Sequence, residues 1–436
     1  MENRQITERR YYAVTVSLAS PLCVSNGESE YTDADIIKNA AGEYFLPGSS
    51  IAGAWRDYLN QKKDENGILG FSKDKEGRMS PVLISDLYFS SKARISVRDG
   101  VKLGRGKSVL NKYDLEIIET GAEGTLFFSI VIREGDAWDY KGTIARLFQA
   151  MQAGEIRFGA NKNRGMGKLQ IESVYESFFS KEDVDRWIAF SPYQKTEKSQ
   201  LINHYDNINS YEKWSQEHNV SLKTRYISIT IPLSLKGGIS IRRYSTKPAQ
   251  ADYEHITTNG KPVVPGASWN GAIRSDAGRI LNDLGCKHTN KLLRTWFGCI
   301  NTDLNDSEED VSGEQPHQSL LAVSESIIAD AVSVPVTRNK VNRFDASTIE
   351  GALYTDLAFY GGTTCLHIMV RKDTKSEYEA LLGLLQIIIQ DVQEGYLPVG
   401  GLVSIGRGIF KIGDGEVEYS ENIDADRCLE KLYSLL

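Results

Sequence analysis

No stretch of the 436-residue sequence approaches the roughly 18 uninterrupted apolar residues that a membrane-spanning helix requires. The opening MENRQITERRYY is charged where a signal peptide is apolar, so a cytoplasmic protein with no membrane partner is expected. Five cysteines (Cys23, Cys286, Cys299, Cys365 and Cys428) are scattered and odd in number, which excludes a disulfide framework and fits a reducing compartment. Cys286, His288 and Cys299 offer three zinc donors without a fourth or a standard spacing, and ordinary thiols are the competing reading. Net positive charge is lacking too: the formal total is −7. That argues against a surface basic all over, but leaves room for a local basic groove. Gly104-Arg-Gly106-Lys107-Ser108 ends like a phosphate-binding Walker A loop. Val101 stands where that motif needs glycine and no apolar strand leads in, so nucleotide hydrolysis is excluded. Neither a GxSxG elbow nor an HExxH pair is present, and the aromatic signature strand of RRM-type binders is missing.

What the sequence does contain is itself, twice. Pro47-Gly-Ser49-Ser50-Ile-Ala-Gly-Ala-Trp55-Arg56 recurs as Pro265-Gly-Ala-Ser268-Trp-Asn-Gly-Ala-Ile-Arg274, sharing P-G-x-S-x-x-G-A-x-R. Each copy follows an apolar pair, Phe45-Leu46 or Val263-Val264, and precedes a helical stretch. The pattern reads as strand end, tight turn and helix start, with Ser49 or Ser50, and Ser268, as natural N-caps. A second pair follows in the same order, reading G-x5-G-x-G. Gly159, Gly165 and Gly167 mark the first loop, and Gly400, Gly406 and Gly408 the second. Each loop follows a helical segment and runs into a strand, and glycines there open the backbone N–H groups to a phosphate chain. Four matches in one order establish an internal repeat. Copies of about 200 residues are each long enough to bury a core. Strands interleaved with few helices predict an α+β fold with helices on one sheet face. The expected division is a first domain over 1–190, a polar linker or insertion over 191–222, and a second domain over 223–436. The acidic stretch 303–314 reads as a solvated surface loop.

At these turns and loops the sequence resembles the RAMP superfamily of CRISPR-associated proteins, over roughly 10–178 and 223–413. Within it, the similarity is to backbone subunits of type III effector complexes, and the tandem arrangement looks like the fused double subunits of III-D-like complexes. The resemblance implies two ferredoxin-like or RRM-like domains, each with a glycine-rich loop and a protruding β-hairpin thumb. It implies guide RNA and target RNA as ligands. The implied neighbours are a large signalling subunit, other backbone subunits and small subunits. It also implies metal-dependent endoribonuclease action on the target, with Mg²⁺ or another divalent cation and an aspartate before the P-G-x-S turn. Counting back from Pro47 puts Asp33 at that place, with Asp35 as its neighbour; Asp252 matches in the second copy. Both aspartates are the candidate catalytic and metal-binding residues, able to hold a cation or help deprotonate a 2′-hydroxyl. Surface turn chemistry is the plainer reading of the same residues. Idle aspartates would leave a guide-binding scaffold that does not cut. A guide-processing nuclease of the superfamily would commonly use histidine, and none of the six histidines lies in a glycine loop.

Basic residues supply the remaining RNA-binding candidates. Lys92, Arg94, Arg98, Lys102, Arg105 and Lys107 alternate with apolar residues where the first thumb is expected. Arg338, Lys340 and Arg343 sit at the comparable place in the second copy. Lys162, Arg164 and Lys168 charge the first glycine loop, Arg407 and Lys411 the second. Arg56 and Arg274 follow the two turns, where phosphate contact and a bond within the domain are both open. Each phosphate neutralised adds salt-dependent affinity.

Overall fold

Strict alternation in Tyr226–Lys236 buries Ile227, Ile229, Ile231 and Leu233 on one face and leaves Ser228, Thr230 and Ser234 on the other. That is the signature of a strand packed on one side only. The strand opens the second half, and its counterpart Ile6–Leu18 opens the first. The computed structural model describes residues 4–25, 33–59, 68–73, 76–103, 109–136, 138–192, 201, 204–218, 224–244, 251–299, 317–373 and 377–436. Of these, 73, 76, 102, 103, 109–111 and 244 are described by backbone alone. The acidic stretch 303–314 lies outside the described residues. Two compact units emerge: Met1–Lys162 with Met166–Thr224, and Arg225–Leu436 with Asn163–Gly165.

Each unit follows one order of elements. In the first, strand Ile6–Leu18 leads to helix Gly48–Leu59, then to the short strands Val82–Ile84 and Leu87–Phe89. A hairpin, Ile95–Leu103 and Val109–Ile118, stands between these and strand Glu123–Arg133. Helix Tyr140–Ala153 and strand Leu169–Ser180 complete the unit. The opening strand lies between Leu169–Ser180 and Glu123–Arg133, antiparallel to both. Leu87–Phe89 borders the far edge of Glu123–Arg133. The second unit repeats this. Tyr226–Lys236 lies between Thr363–Arg371 and Ile409–Ile412, with Leu321–Val323 beyond Thr363–Arg371. Helices Gly266–Asp283 and Tyr378–Glu394 take the matched places, and the hairpin is Val332–Arg338 with Tyr354–Tyr360. This is a βαββαβ order with a hairpin inserted before the third core strand, so the chain is two ferredoxin-like α+β domains in tandem.

Helices cover one face of each sheet. Trp55, Leu147, Phe148 and Met151 pack on Val14, Val16, Leu126 and Phe128 in the first core. Trp269, Ile273, Leu384 and Ile388 pack on Ile229, Ile231, Leu366 and Ile368 in the second. The expected N-caps are corrected: both helices begin one or two residues earlier, at Gly48 and Gly266. Proline, with its fixed φ, holds the cap position at Pro265, and it has no side-chain acceptor to offer. The leading amide of Gly48 donates instead to Asp86 Oδ1 at 2.8 Å.

The described part of 191–222 is built into the first unit. Strand Asn207–Ser210 pairs with Leu169–Ser180, and Trp214, 1% exposed, packs against Phe148. Tyr11, Ala13, Tyr175, Phe179, Leu201 and Tyr205 form a second small core on the outer face of the first sheet. Both faces of that sheet are therefore covered, which is why residues 11–16 are buried without alternation.

Candidate active site

The loop after each opening strand returns beside the hairpin, and the hydrogen bonds there are the same in both units. Asp33 N–H donates to Asp114 O (3.1 Å), and Asp114 N–H donates back to Asp33 Oδ2 (2.8 Å). Asp252 N–H donates to Thr355 O (2.9 Å), and Thr355 N–H donates back to Asp252 Oδ2 (2.7 Å). Asp114 and Thr355 both lie on the return strand of their hairpin. The next residues also correspond, because Ala34 bridges Leu115 in parallel and Tyr253 pairs with Asp356 in parallel. Both aspartates are exposed, and in each one oxygen is tied down while Oδ1 has no hydrogen-bond partner among the described residues. Counting from proline and counting by hydrogen bonds thus select the same pair. Asp35 and Glu254 follow as matched neighbours, with Glu254 3.4 Å from Arg243.

Register extends the match across each hairpin. Asp99 faces Asp114 and Gly100 faces Tyr113; Thr337 faces Thr355 and Arg338 faces Tyr354. Before the aspartate loops, Ser25 bridges Ile36 and Arg242 pairs with His255. His255, 1% exposed, accepts from Ile241 N–H at Nδ1 (2.9 Å) and faces Val263 O from Nε2 (3.1 Å). Burial holds its pKa down to about 4, and both ring nitrogens are committed in the neutral form. His255 is thus a packing residue.

In each site the bracketed aspartate would offer a divalent cation its Oδ1. Among the described residues no group of three or more His, Cys, Asp or Glu is arranged to hold a metal. Mg²⁺ often takes only one or two carboxylates from protein and the rest from phosphate and water. Cys286 Sγ points at Leu435 O (3.9 Å), and Cys299 Sγ lies 3.5 Å from Nδ1 of His317.

The two glycine loops are equally matched. Helices Tyr140–Ala153 and Tyr378–Glu394 end on left-handed Gly154 and Gly395, and each loop holds a single 3₁₀ turn, Lys162–Arg164 or Val403–Ile405. Phe158 N–H donates to Gly167 O and Val399 N–H to Gly408 O, both at 2.9 Å. A Cβ on Gly167 or Gly408 would lie 1.8 Å from the carbonyl oxygen of Phe158 or Val399, so only glycine fits. A family model of the RAMP superfamily matches residues 15–170 and 248–411.

The chain belongs to the RAMP superfamily. As a RAMP protein it is a CRISPR-associated RNA-binding subunit. Comparison with curated proteins gave no match. No helix among the described residues is long and apolar enough to cross a membrane.

Within this RAMP protein the cations flagged by sequence divide sharply. Arg94 is exposed at the base of the first hairpin, and Lys162 and Arg164 are exposed in the first glycine loop. Lys340 and Arg343 are exposed beyond the second hairpin, beside the fully exposed Phe344. Arg338 is half-buried at the end of its strand. Arg98 and Arg407 are corrections. Arg98 is 5% exposed and lies 3.9 Å from the buried Glu119. Arg407 is 7% exposed with its guanidinium 4.5 Å from the Tyr360 ring centre. Neither presents its charge to solvent. Arg56 donates to Leu69 O (2.9 Å), and Arg274 lies over the Phe297 ring at 5.9 Å, so both make contacts inside their own unit. Lys102 pairs by backbone with Asn111, while Arg105 and Lys107 lie outside the described residues. Ser49 is exposed and Ser50 and Ser268 are half-buried in the first helical turns.

Sequence reasoning missed Arg242, Tyr253, Tyr354 and Asp356. Arg242 lies over Tyr253 (4.7 Å) and Tyr354 (5.4 Å), with Nε 3.5 Å from Oδ1 of the wholly buried Asp356. Only the strand register brings these residues together.

Proposed function

We propose that this protein is a backbone subunit of a type III CRISPR effector complex that holds guide RNA and cuts complementary target RNA once per half, at Asp33 and Asp252. The paired bracket carries the reading: two exposed aspartates, fixed by the same two hydrogen bonds to the return strand of a hairpin. Tying Oδ2 to a backbone amide orients the carboxylate and leaves Oδ1 to accept the proton of a target 2′-hydroxyl attacking in line. In place of that proton, the same oxygen would suit Mg²⁺ or another divalent cation, which when bound would offset the charge developing on the scissile phosphate. Glycine-loop amides and the exposed cations Arg94, Lys162, Arg164, Lys340 and Arg343 hold the guide backbone. Base pairing, not this chain, chooses the target. The subunit works in the cytoplasm beside the complex's large, small and other backbone subunits.

The test is cleavage of labelled target RNA by the guide-loaded complex with Mg²⁺. Asp33→Ala and Asp252→Ala should each erase one product while target binding persists. A double variant that still cuts like wild type would make the subunit a guide-binding scaffold.

A further inference from the structure

The two aspartates sit in opposite electrostatic surroundings. At positions matched by register, the first unit has Ser25, Ala34, Gly100 and Leu115, and the second has Arg242, Tyr253, Arg338 and Asp356. Facing the bracket, the first unit places Asp99 and Asp114, where the second places Thr337 and Thr355, whose hydroxyls bond to each other at 2.9 Å. Asp33 thus has two further carboxylates on the adjoining strands and no cation at the matched positions. Asp252 has two arginines.

Those arginines are held in place. The guanidinium of Arg242 lies over two tyrosines that meet edge to face at 6.0 Å, and Asp356 anchors its Nε side. Its side chain is 27% exposed, although Nε and Nη2 are themselves buried. Among the described residues Nε and Nη2 have no hydrogen-bond partner within bonding geometry. Arg338 faces Tyr354 across the hairpin. The phenol of Tyr354 is drawn below its ordinary pKa, by Arg242 first and Arg338 next. In the first unit the position matched to Arg338 is Gly100. There, Gly100 faces Tyr113, and a Cβ at Gly100 would meet the ring at 2.2 Å.

At the described positions matched by register, a phosphodiester approaching Asp33 meets carboxylates and no cation. One approaching Asp252 meets two guanidinium groups, Arg242 fixed by its neighbours and Arg338 across the hairpin, whose planar donors match phosphate oxygens. We propose that Arg242 and Arg338 form a built-in phosphate clamp beside Asp252, so that the second half grips the RNA backbone without a divalent cation and the first half does not. This rests on the guide- and target-binding reading above.

The experiment measures binding of a labelled single-stranded RNA to the full-length chain in EDTA and again in Mg²⁺, across a salt series. Wild type is compared with Arg338→Gln, Arg242→Gln, the double variant and the exposed control Arg427→Gln, with the melting temperature of each recorded. In EDTA, Arg338→Gln should weaken binding roughly three- to ten-fold and lower the slope of log affinity against log salt by about 0.7, the value for one phosphate contact on single strands. The double variant should lose more and Arg427→Gln nothing. Arg242 also neutralises buried Asp356, so if Arg242→Gln fails to fold, Arg338→Gln alone decides. Equal affinity and slope for wild type and Arg338→Gln in EDTA would overturn the clamp, as would wild-type binding that requires Mg²⁺. Absence of RNA binding in both buffers would overturn the clamp and the RNA-binding reading together.

Discussion

The two halves agree wherever the backbone makes the site and disagree wherever side chains charge it. The aspartate bracket, the αL helix cap, the 3₁₀ turn and the return past Gly167 or Gly408 superpose bond for bond. Around that frame, Asp99 and Asp114 give way to threonines, and Ser25 and Gly100 give way to arginines. A duplicated site can therefore keep its geometry while changing what it asks of its surroundings. The sheets diverge similarly: the first carries an aromatic cover on its outer face, and the second leaves a polar row of Ser228, Thr230 and Ser234.

The comparison breaks most visibly at the aspartates. Asp33→Ala and Asp252→Ala should each reduce one cleavage product by roughly a hundred-fold or more, the scale of a lost general base. A Mg²⁺ titration of wild type then sharpens it, with the Asp33 product demanding more metal than the Asp252 product. The next largest effect concerns the first core. Trp214→Ala removes a buried ring with no counterpart in the second half, and should cost about 3–5 kcal/mol. Denaturant unfolding of the full chain should show one transition moving and the other unmoved.

His255 separates the halves by acidity, because Ile36 occupies its matched position. Its folded pKa of about 4 lies below the unfolded value near 6.5, so its contribution is present above pH 6.5 and disappears as pH falls toward 4. The loss is on the order of 3 kcal/mol and falls on the second unit. Acid unfolding of His255→Gln should lack that component, and an unchanged acid midpoint would count against it. The smallest effect belongs to the neighbours: Asp35→Asn and Glu254→Gln should leave cleavage within about fivefold of wild type. An exposed ion pair such as Arg243–Glu254 is worth about 1 kcal/mol or less.

What the sequence disclosed were the places where backbone geometry leaves no choice. The P-G-x-S turns and G-x5-G-x-G loops are written in residues that sterics demand, and Asp33 and Asp252 sit at fixed distances from those turns. Alternation in Tyr226–Lys236 announced a half-covered strand, and in the first opening strand the stretch 11–16, apolar but for Thr15, carried the signal of a doubly covered one. Charge was less readable. Arg98 and Lys102 look alike in a basic run, yet Arg98 turns inward because Glu119 waits across the hairpin base. Arg407 turns inward over Gly238, where a Cβ would strike its guanidinium at 2.0 Å. The two clamp arginines come from separate stretches of chain, joined only by strand register.

Gly167 and Gly408 act as fossils of a duplication. Any mutation there drives an atom into a carbonyl oxygen, in either copy, whatever the surrounding residues have become. Neither copy can wander at this point, so the reading frame of the ancient unit stays aligned while the chemistry around each aspartate drifts. A chain built this way can specialise one half without losing track of which residue corresponds to which.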